Sequence, residues 1–434
     1  MAANTGQPSA RLTGAHACTG ISGFTCETLS VPLDHAGGTR RVLHLQVGAE
    51  NVSSARRGVL VFLTGGPGQP GVPLIPRVRS RLGAALGGYR LVMFDQRGTG
   101  AGALRCPALQ AAAGASDLTV VPPKADASCA RAIGSDRRYF STTETVADIE
   151  ALRRALNAPR LTLDGVSYGT FVAERYALTY PTRVTRLVLD SVVPQDGIDP
   201  LDLASIERTT PALRDACAAV RCGYDPAADL SAVVRAYHDG PELLDALVGD
   251  SVVTPDFRRA LAALHAGAAG DMRGIESLLR SASAGESATA DVLSQGLHQS
   301  TLCLDIQAPW DPDAPSAQRA RLIAGEAAAL PDRATFPYDR ATAVGNGIGA
   351  GCARWPATSP PSLADGDATR PLPPVPVLLL AGDRDLSTPL PWAREEASDA
   401  TDGQLLVVPR SGHSVQTRSN DPTMRRTLKR FLAG

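Results

Sequence analysis

Short apolar runs separated by polar turns recur near both ends of this chain and predict buried strands. The runs span residues 26–32, 41–47, 57–63, 89–94, 161–164, 183–190, 374–380 and 404–408. Helix-like stretches, 142–156 and 170–180, stand before and after the run at 161–164. Strands that alternate with helices favour a parallel sheet, so the pattern predicts an α/β fold.

The pattern changes between the two groups of runs. From Gln195 to about Arg370 the sequence is Ala-rich and helix-like, with few strand signals. Two proline-rich stretches, 359–362 and 370–376, are predicted to be the linker back to the strand-rich part. We therefore predict a mainly helical unit inserted between two parts of one core.

The composition suits a protein with a large buried core and excludes some partners. The chain has 434 residues, of which 44% are hydrophobic and 4% aromatic, and a formal net charge of −1. A nearly neutral chain has no strong positive electrostatic potential to attract nucleic acid or anionic lipid, so we expect neither partner. No apolar run approaches the ~20 residues of a membrane span.

The sequence Gly165-Val-Ser167-Tyr-Gly169 follows a predicted strand and precedes a predicted helix. A strand that reverses sharply into a helix brings backbone segments close together, which requires glycines on both sides of a strained central residue. The pentapeptide alone also occurs by chance in chains rich in Gly and Ser. Its position between a strand and a helix favours a nucleophile elbow, with Ser167 as the nucleophile.

A base and an orienting acid follow Ser167 in the order Ser, Asp, His. His413 comes just past the strand 404–408 and is the only histidine beyond Asp385. Catalytic groups collect at the carboxyl edge of open α/β sheets. Of the two aspartates after the strand 374–380, we prefer Asp385, which lies deeper in the loop. Asp383 is expected to fix the turn through backbone hydrogen bonds.

An oxyanion hole needs the N–H after the nucleophile and a second N–H from a loop after an earlier strand. Tyr168 supplies the first. The loop Thr64-Gly-Gly-Pro-Gly68 follows a predicted strand, and its glycines let amides approach a ligand, so Gly66 is the predicted second donor. The polar run 95–97 follows another predicted strand, and we interpret it as a brace for this loop.

These motifs carry a family resemblance. Their order and spacing resemble those of α/β-hydrolase exopeptidases, and the chain is similar to secreted tripeptidyl aminopeptidases, which are relatives of proline iminopeptidase. The resemblance covers about residues 28–194 and 300–434. The motifs that carry it are residues 65–68, 94–100, 165–170, 382–389 and 411–413.

The resemblance implies an α/β-hydrolase fold, with a mostly parallel central sheet flanked by helices and a helical cap. It implies Ser167 as nucleophile, Asp385 as orienting acid and His413 as base. The family usually has His or Asn where this chain has Thr64. This difference leaves the backbone N–H donors of the oxyanion hole intact and bears on how the substrate is positioned. The expected division is an N-terminal extension (1–27), a first core part (28–194), a cap (195–370) and a C-terminal core part (371–434).

Eight cysteines indicate an oxidising compartment. The sequence alone does not fix their connectivity, and pairing in chain order is the simplest expectation. The absence of a C-x-x-C pair argues against a metal site, and buried free thiols remain an alternative. The pairs in chain order are Cys18/Cys26, Cys106/Cys129, Cys217/Cys222 and Cys303/Cys352.

The first ten residues lack the basic and apolar regions of a signal peptide. We therefore expect either a secreted protein whose signal peptide has been removed or a cytosolic protein.

The predicted function is removal of residues from the amino terminus of short peptides through an acyl-enzyme, without a cofactor or metal. An esterase, lactonase or acyl-transfer enzyme acting on a small metabolite is the alternative, because the same triad cleaves esters. The complete set of catalytic groups disfavours a binding protein without activity. An exopeptidase needs a carboxylate for the substrate ammonium group, and Asp305, Glu326 and Asp311 are candidates among which the sequence does not choose.

Overall fold

The computed structural model describes residues 11–285, 287–360, 363 and 366–434. The start of the predicted N-terminal extension (1–10) and part of the predicted linker (361–362) lie outside the described residues. The strands are β1 (Leu12–Ala17), β2 (Phe24–Pro32), β3 (Val42–Glu50), β4 (Val59–Leu63), β5 (Arg90–Phe94), β6 (Leu161–Ser167), β7 (Val184–Val192), β8 (Val377–Gly382) and β9 (Gly403–Val408).

The nine strands form one sheet in the order β1-β2-β3-β5-β4-β6-β7-β8-β9. The strands from β5 through β4, β6, β7 and β8 to β9 pair in parallel. The pairs β1–β2, β2–β3 and β3–β5 are antiparallel. Every residue of β4 and β8 is buried, which is why parallel strands in the middle of a sheet appear as continuous apolar runs. The predicted, mostly parallel sheet is confirmed.

Helices cover both faces of the sheet. Ile149, Phe171 and Ala393 pack against one face. Val78 and Leu428 pack against the other face. The helices are α1 (Ile75–Leu82), α2 (Pro107–Ala113), α3 (Pro123–Ile133), α4 (Thr142–Ala155), α5 (Tyr168–Thr179), α6 (Leu203–Val220), α7 (Pro226–Tyr237), α8 (Gly240–Val253), α9 (Arg258–Ala268), α10 (Arg273–Gly285), α11 (Gln295–Asp305), α12 (Ser316–Ala329), α13 (Arg340–Gly345), α14 (Gly347–Arg354), α15 (Leu390–Asp399), α16 (Val415–Arg418) and α17 (Pro422–Ala433).

The helices α6 to α14, called here the helical insertion, lie along the chain between β7 and β8. They have a hydrophobic core of their own, to which Leu213, Leu244 and Leu264 contribute. Leu386, from the loop after β8, is buried in the same cluster. The insertion is therefore packed directly onto the loop that carries Asp385.

The first strand was not predicted from the sequence. Most residues of β1 are exposed, and the strand pairs only with β2 at the edge of the sheet. An edge strand without a buried face has no hydrophobic alternation for sequence analysis to detect. The sheet consequently begins within the stretch expected to be an N-terminal extension.

The eight cysteines pair in chain order: Cys18–Cys26, Cys106–Cys129, Cys217–Cys222 and Cys303–Cys352. The last pair joins α11 to α14 within the insertion. In the part of the chain that the structure describes, no helix is long and apolar enough to cross a bilayer. The same residues contain no group of three or more His, Cys, Asp or Glu side chains that could hold a metal ion.

Candidate active site

Ser167 occupies the tight turn between β6 and α5, and its backbone has a φ of 57°. A Cβ atom at Gly165 would lie 2.3 Å from the carbonyl oxygen of Gly169. A Cβ atom at Gly169 would lie 2.4 Å from the carbonyl oxygen of Leu63 in β4. Only glycine fits at both positions, so this turn has the geometry expected of a nucleophile elbow.

The loops after β8 and β9 bring Asp385 and His413 together. His413 Nδ1 donates a hydrogen bond of 2.9 Å to Asp385 Oδ2. Burial raises the pKa of Asp385, but His413 and the hydrogen bonds from Thr388 outweigh it and leave the pKa below its usual value. Asp385 is therefore ionised, and it fixes the tautomer that leaves His413 Nε2 able to accept a proton.

Asp383 has a different environment from Asp385. It accepts backbone hydrogen bonds from Arg410 and Ser411, and burial raises its pKa. This is the turn-fixing role expected for it. Of the two aspartates in the loop, Asp385 is the one whose carboxylate is bonded to His413.

The ends of two central strands hold the loop that carries His413. Ser191 Oγ accepts the N–H of the residue after His413 at 2.7 Å. The two carboxylate oxygens of Asp190 accept the next two N–H groups at 3.1 and 2.9 Å. Asp164 accepts a bond of 2.8 Å from the Gln416 side chain. Sequence analysis did not identify these positioning residues, because an acid inside a buried strand has no motif of its own.

The predicted oxyanion loop is closed by the Thr64 side chain, and the segment after it is braced by Asp95, the residue that follows β5. Thr64 Oγ1 donates a hydrogen bond of 2.9 Å to the carbonyl of Gln69. Asp95 Oδ1 accepts the N–H of Val72 at 2.9 Å, as expected for a brace. Arg97 is fully buried and bound to Asp148 through two bonds of 2.8 Å, so it belongs to the core.

Ser167 lies between two cavities, and Gly66 lines both of them. The smaller cavity, of about 40 Å³, is lined by Tyr168, Asp117 and Asp202, and is called here the acidic cavity. The larger, of about 210 Å³, is lined by His413, Arg77 and Arg418, and is called here the basic cavity. Asp117 stands at the junction and lines both. The predicted nucleophile, base and oxyanion residues thus line two neighbouring cavities that share Gly66, Asp117 and Ser167.

The acidic cavity holds carboxylates that sequence analysis missed. Asp202 is buried and accepts a hydrogen bond of 2.6 Å from Ser205, and burial together with Asp199 and Asp117 raises its pKa to about 8. Burial also raises the pKa of Asp117, whose carboxylate lies 3.7 Å from His298 Nε2. These residues come from separate segments, and only the fold assembles them.

His298 also lines the acidic cavity. Its Nδ1 lies 3.1 Å from the carbonyl oxygen of Pro67, in the predicted oxyanion loop. A carbonyl oxygen can only accept, so His298 Nδ1 carries a proton, and Nε2 faces Asp117. The carboxyl oxygens of Asp117 and Asp202 give the cavity acceptors that suit a group with several N–H donors.

The three acids proposed from the sequence for the substrate ammonium group do not line either cavity. Asp305 accepts a hydrogen bond of 2.6 Å from Thr142 Oγ1, which is also 2.5 Å from the Tyr168 hydroxyl. Asp305 thereby links α11 to the elbow. Glu326 and Asp311 are exposed on the surface. The acids that line the cavities beside Ser167 are instead Asp117 and Asp202.

Two families match the chain. Residues 58–212 match the family described as "alpha/beta hydrolase fold". Residues 340–434 match the family described as "TAP-like protein". The first stretch contains the elbow and the oxyanion loop, and the second contains the loops with Asp385 and His413.

The chain is also similar to several curated proteins. The tripeptidyl aminopeptidase of Streptomyces coelicolor is 31% identical over 188 residues, which cover 39% of this chain and 35% of that protein. The serine protease Hip1 of Mycobacterium tuberculosis is 28% identical over 257 residues, 52% of this chain and 47% of that protein. A probable proline iminopeptidase of Streptomyces coelicolor is 33% identical over 132 residues, 30% of this chain and 32% of that protein. The chain therefore matches about a third to a half of the length of these relatives.

Proposed function

We propose that this chain, which has an α/β-hydrolase fold and resembles tripeptidyl aminopeptidases, is a serine hydrolase that removes residues from the amino terminus of short peptides. The observation that carries this proposal is the position of Ser167. It lies between an acidic cavity on one side and the His413–Asp385 pair on the other. A nucleophile beside the carboxyl groups of Asp117 and Asp202 suits a substrate whose acyl part carries a positive charge.

In the proposed reaction, His413 Nε2 takes the proton of the Ser167 hydroxyl as Oγ attacks the scissile carbonyl carbon. The N–H groups of Gly66 and Tyr168 donate to the oxygen that becomes negative. The C–N bond breaks when His413 returns the proton to the leaving amine, and the acyl group stays on Ser167. Water, deprotonated by His413, then releases the acyl group as a carboxylate.

The acidic cavity supplies the selectivity for a free amino terminus. Burial raises the pKa of both acids, and the charge of Asp117 adds to the rise at Asp202; a bound ammonium ion would favour the ionised form of each carboxyl group. The N–H groups of the ammonium would also satisfy the acceptors on the cavity walls. With a volume of about 40 Å³, the cavity favours small residues at the acyl position.

The test compares aminoacyl and peptidyl p-nitroanilides of one to three residues, each with a free and with an acetylated amino terminus. Charge-assisted hydrogen bonds are worth roughly 1.5–3 kcal/mol, so we expect kcat/KM to fall at least about tenfold on acetylation. Asp202→Asn and Asp117→Asn should reduce this ratio. Glu326→Gln, which changes an exposed acid of the insertion, is the matched control and should keep it.

Equal cleavage of free and acetylated substrates would contradict the aminopeptidase proposal. Turnover of simple esters or lactones without any peptide cleavage would instead support an esterase or lactonase acting on a small metabolite. The peptide series also measures how many residues leave in one step.

Disulfides persist outside the reducing cytosol, so the four pairs favour an extracellular location, and we propose that the protein is secreted. Reaction of the native protein from its natural host with a thiol reagent tests this. We expect no reactive cysteine before reduction, and eight free thiols would contradict the proposal.

A further inference from the structure

The basic cavity contains two arginines on the side of His413. Arg77 is on α1 and Arg418 ends α16, and these two helices pack against each other. Both side chains line the cavity that Ser167 and His413 also line. Two separate segments of the chain thus bring two guanidinium groups to the same space as the nucleophile.

Within the described residues, neither arginine is held in an ion pair. No ion pair or side-chain hydrogen bond joins either guanidinium to another residue of the described ranges, whereas Arg79, on the same helix as Arg77, is bound to Glu50 at 2.8 Å. Burial and the nearby charge of Arg77 lower the pKa of Arg418. Two like charges close together, both reaching solvent, form a site that an anion would stabilise.

The position of His413 identifies which part of a substrate enters the basic cavity. In the proposed reaction the imidazole gives its proton to the leaving group, so the leaving group must lie on the imidazole's side of Ser167. His413 lines the basic cavity but not the acidic one. The acyl group therefore extends into the acidic cavity and the leaving group into the basic cavity.

We propose that Arg77 and Arg418 bind a carboxylate on the leaving group, so that the favoured substrates are short peptides whose carboxyl terminus is free. The proposal rests on the hydrolase function described above. Guanidinium groups match carboxylates in geometry as well as charge. With acids on the acyl side and arginines on the leaving-group side, the site is complementary to a short zwitterionic peptide and poorly complementary to an internal segment of a protein.

The experiment measures kcat/KM for alanine peptides of two to five residues, each as the free acid and as the C-terminal amide. For the wild type we expect kcat/KM to be about fivefold to fiftyfold higher for the free acid than for the amide, mainly because KM is lower. This range allows for the weakening of the interaction by solvent, which both arginines reach. Arg418→Gln and Arg77→Gln should each lower the acid-to-amide ratio, and Arg418→Lys should restore part of it. The matched control is Arg81→Gln, because Arg81 is on α1 but donates to Asn420 at 3.1 Å and does not line the cavity.

A second substrate pair separates this proposal from the peptidase proposal. The alanyl esters of 4-hydroxybenzoate and 4-hydroxybenzamide have leaving groups that differ in a carboxylate. The ratio of their rates is compared between wild type and variants, so that intrinsic leaving-group reactivity cancels. If peptides are not cleaved but esters are, a ratio that falls in the arginine variants still supports the anion subsite.

The proposal is overturned if the wild type cleaves acids and amides equally well. It is also overturned if the arginine variants lose activity on both members of a pair to the same extent. A merely structural role of the arginines would produce that uniform loss, whereas a subsite changes the ratio.

Discussion

At His413, burial and the neighbouring carboxylate act on the imidazole in opposite directions. Burial alone would lower the pKa of His413, but Asp385 at 2.9 Å raises it, and the resulting pKa lies above the usual 6.5. A base must be neutral to accept a proton, so activity should be lost as the pH falls through this raised pKa. We expect the acidic limb of the kcat/KM profile for a neutral ester above pH 6.5. A limb well below that value would contradict the pairing.

The two aspartates of the same loop offer a matched comparison. Asp385→Asn should lower kcat by about 10³- to 10⁴-fold, because an amide no longer stabilises the imidazolium or selects its tautomer. Asp383→Asn should lower it less than about tenfold, because Asp383 accepts backbone N–H groups. Turnover of an activated ester measures both, and circular dichroism checks the fold. The reverse order would exchange the roles of the two residues.

Ser167 labelling provides the control for this series. A serine-directed phosphonate should modify the wild type, and Ser167→Ala should abolish both labelling and turnover. Labelling of another serine in that variant would refute the assignment of the nucleophile.

At the scale of elements, the site is assembled where the carboxyl ends of parallel strands meet. Ser167 follows β6, Asp385 follows β8 and His413 follows β9. β7 contributes Asp190 and Ser191, which hold the His413 loop. A distortion of the sheet would therefore move several of the proposed catalytic groups at once.

The contact between α5 and β4 is tested at Gly169. Gly169→Ala would place a Cβ 2.4 Å from the Leu63 carbonyl oxygen and 2.8 Å from its carbon, which are backbone atoms and cannot move aside alone. We expect a loss of about 1–3 kcal/mol in the free energy of unfolding and a large loss of activity.

Gly325→Ala is the matched control, because Gly325 lies in α12 and a Cβ there would meet no atom within 4 Å. It should stabilise the protein by about 0.5–1 kcal/mol. Urea unfolding measures both variants, and an undisturbed Gly169→Ala protein would show that the turn is looser than described.

At the scale of the whole molecule, the Cys303–Cys352 disulfide connects distant parts of the helical insertion. The two cysteines are 49 residues apart in sequence, and those of the Cys217–Cys222 pair are 5 apart. Replacing Cys303 and Cys352 by serine should cost about 2–5 kcal/mol, and replacing Cys217 and Cys222 should cost less, because a shorter loop loses less entropy when closed. Thermal or urea unfolding tests this order, and equal losses would contradict it.

Buried carboxylates make the stability of the whole molecule depend on pH. Burial raises the pKa of Asp164 to about 8, of Asp190 to about 7 and of Glu396 to about 8. The folded state therefore holds protons that the unfolded chain releases near pH 4, and stability falls as the pH rises from about 4 through about 8. We expect a lower free energy of unfolding at pH 8 than at pH 5.5.

Asp164→Asn should flatten this dependence, and Asp311→Asn, at an exposed acid, should leave it unchanged. Chemical denaturation at the two pH values provides the measurement. Stability that rises between pH 5.5 and pH 8 would show that these carboxylates ionise freely in the folded protein.

Local sequence determined the elements and the chemistry that lie close together along the chain. Strands such as β4 and β8 are continuous apolar runs because both of their faces are buried. The glycines around Ser167 identify the elbow because no other residue fits there. The histidine and aspartate follow strands whose ends must meet at one edge of the sheet.

Only the tertiary structure decided what lies on each side of the nucleophile. Asp117 comes from the loop between α2 and α3, and Asp202 from the residue before α6. Arg77 and Arg418 come from α1 and α16, and no spacing along the chain relates any of these four residues. Charged side chains that meet through packing leave no local pattern, because each one alone is indistinguishable from a solvated surface charge. The sequence therefore determined the candidate triad and its elbow, and the fold determined which charged groups lie on each side of Ser167.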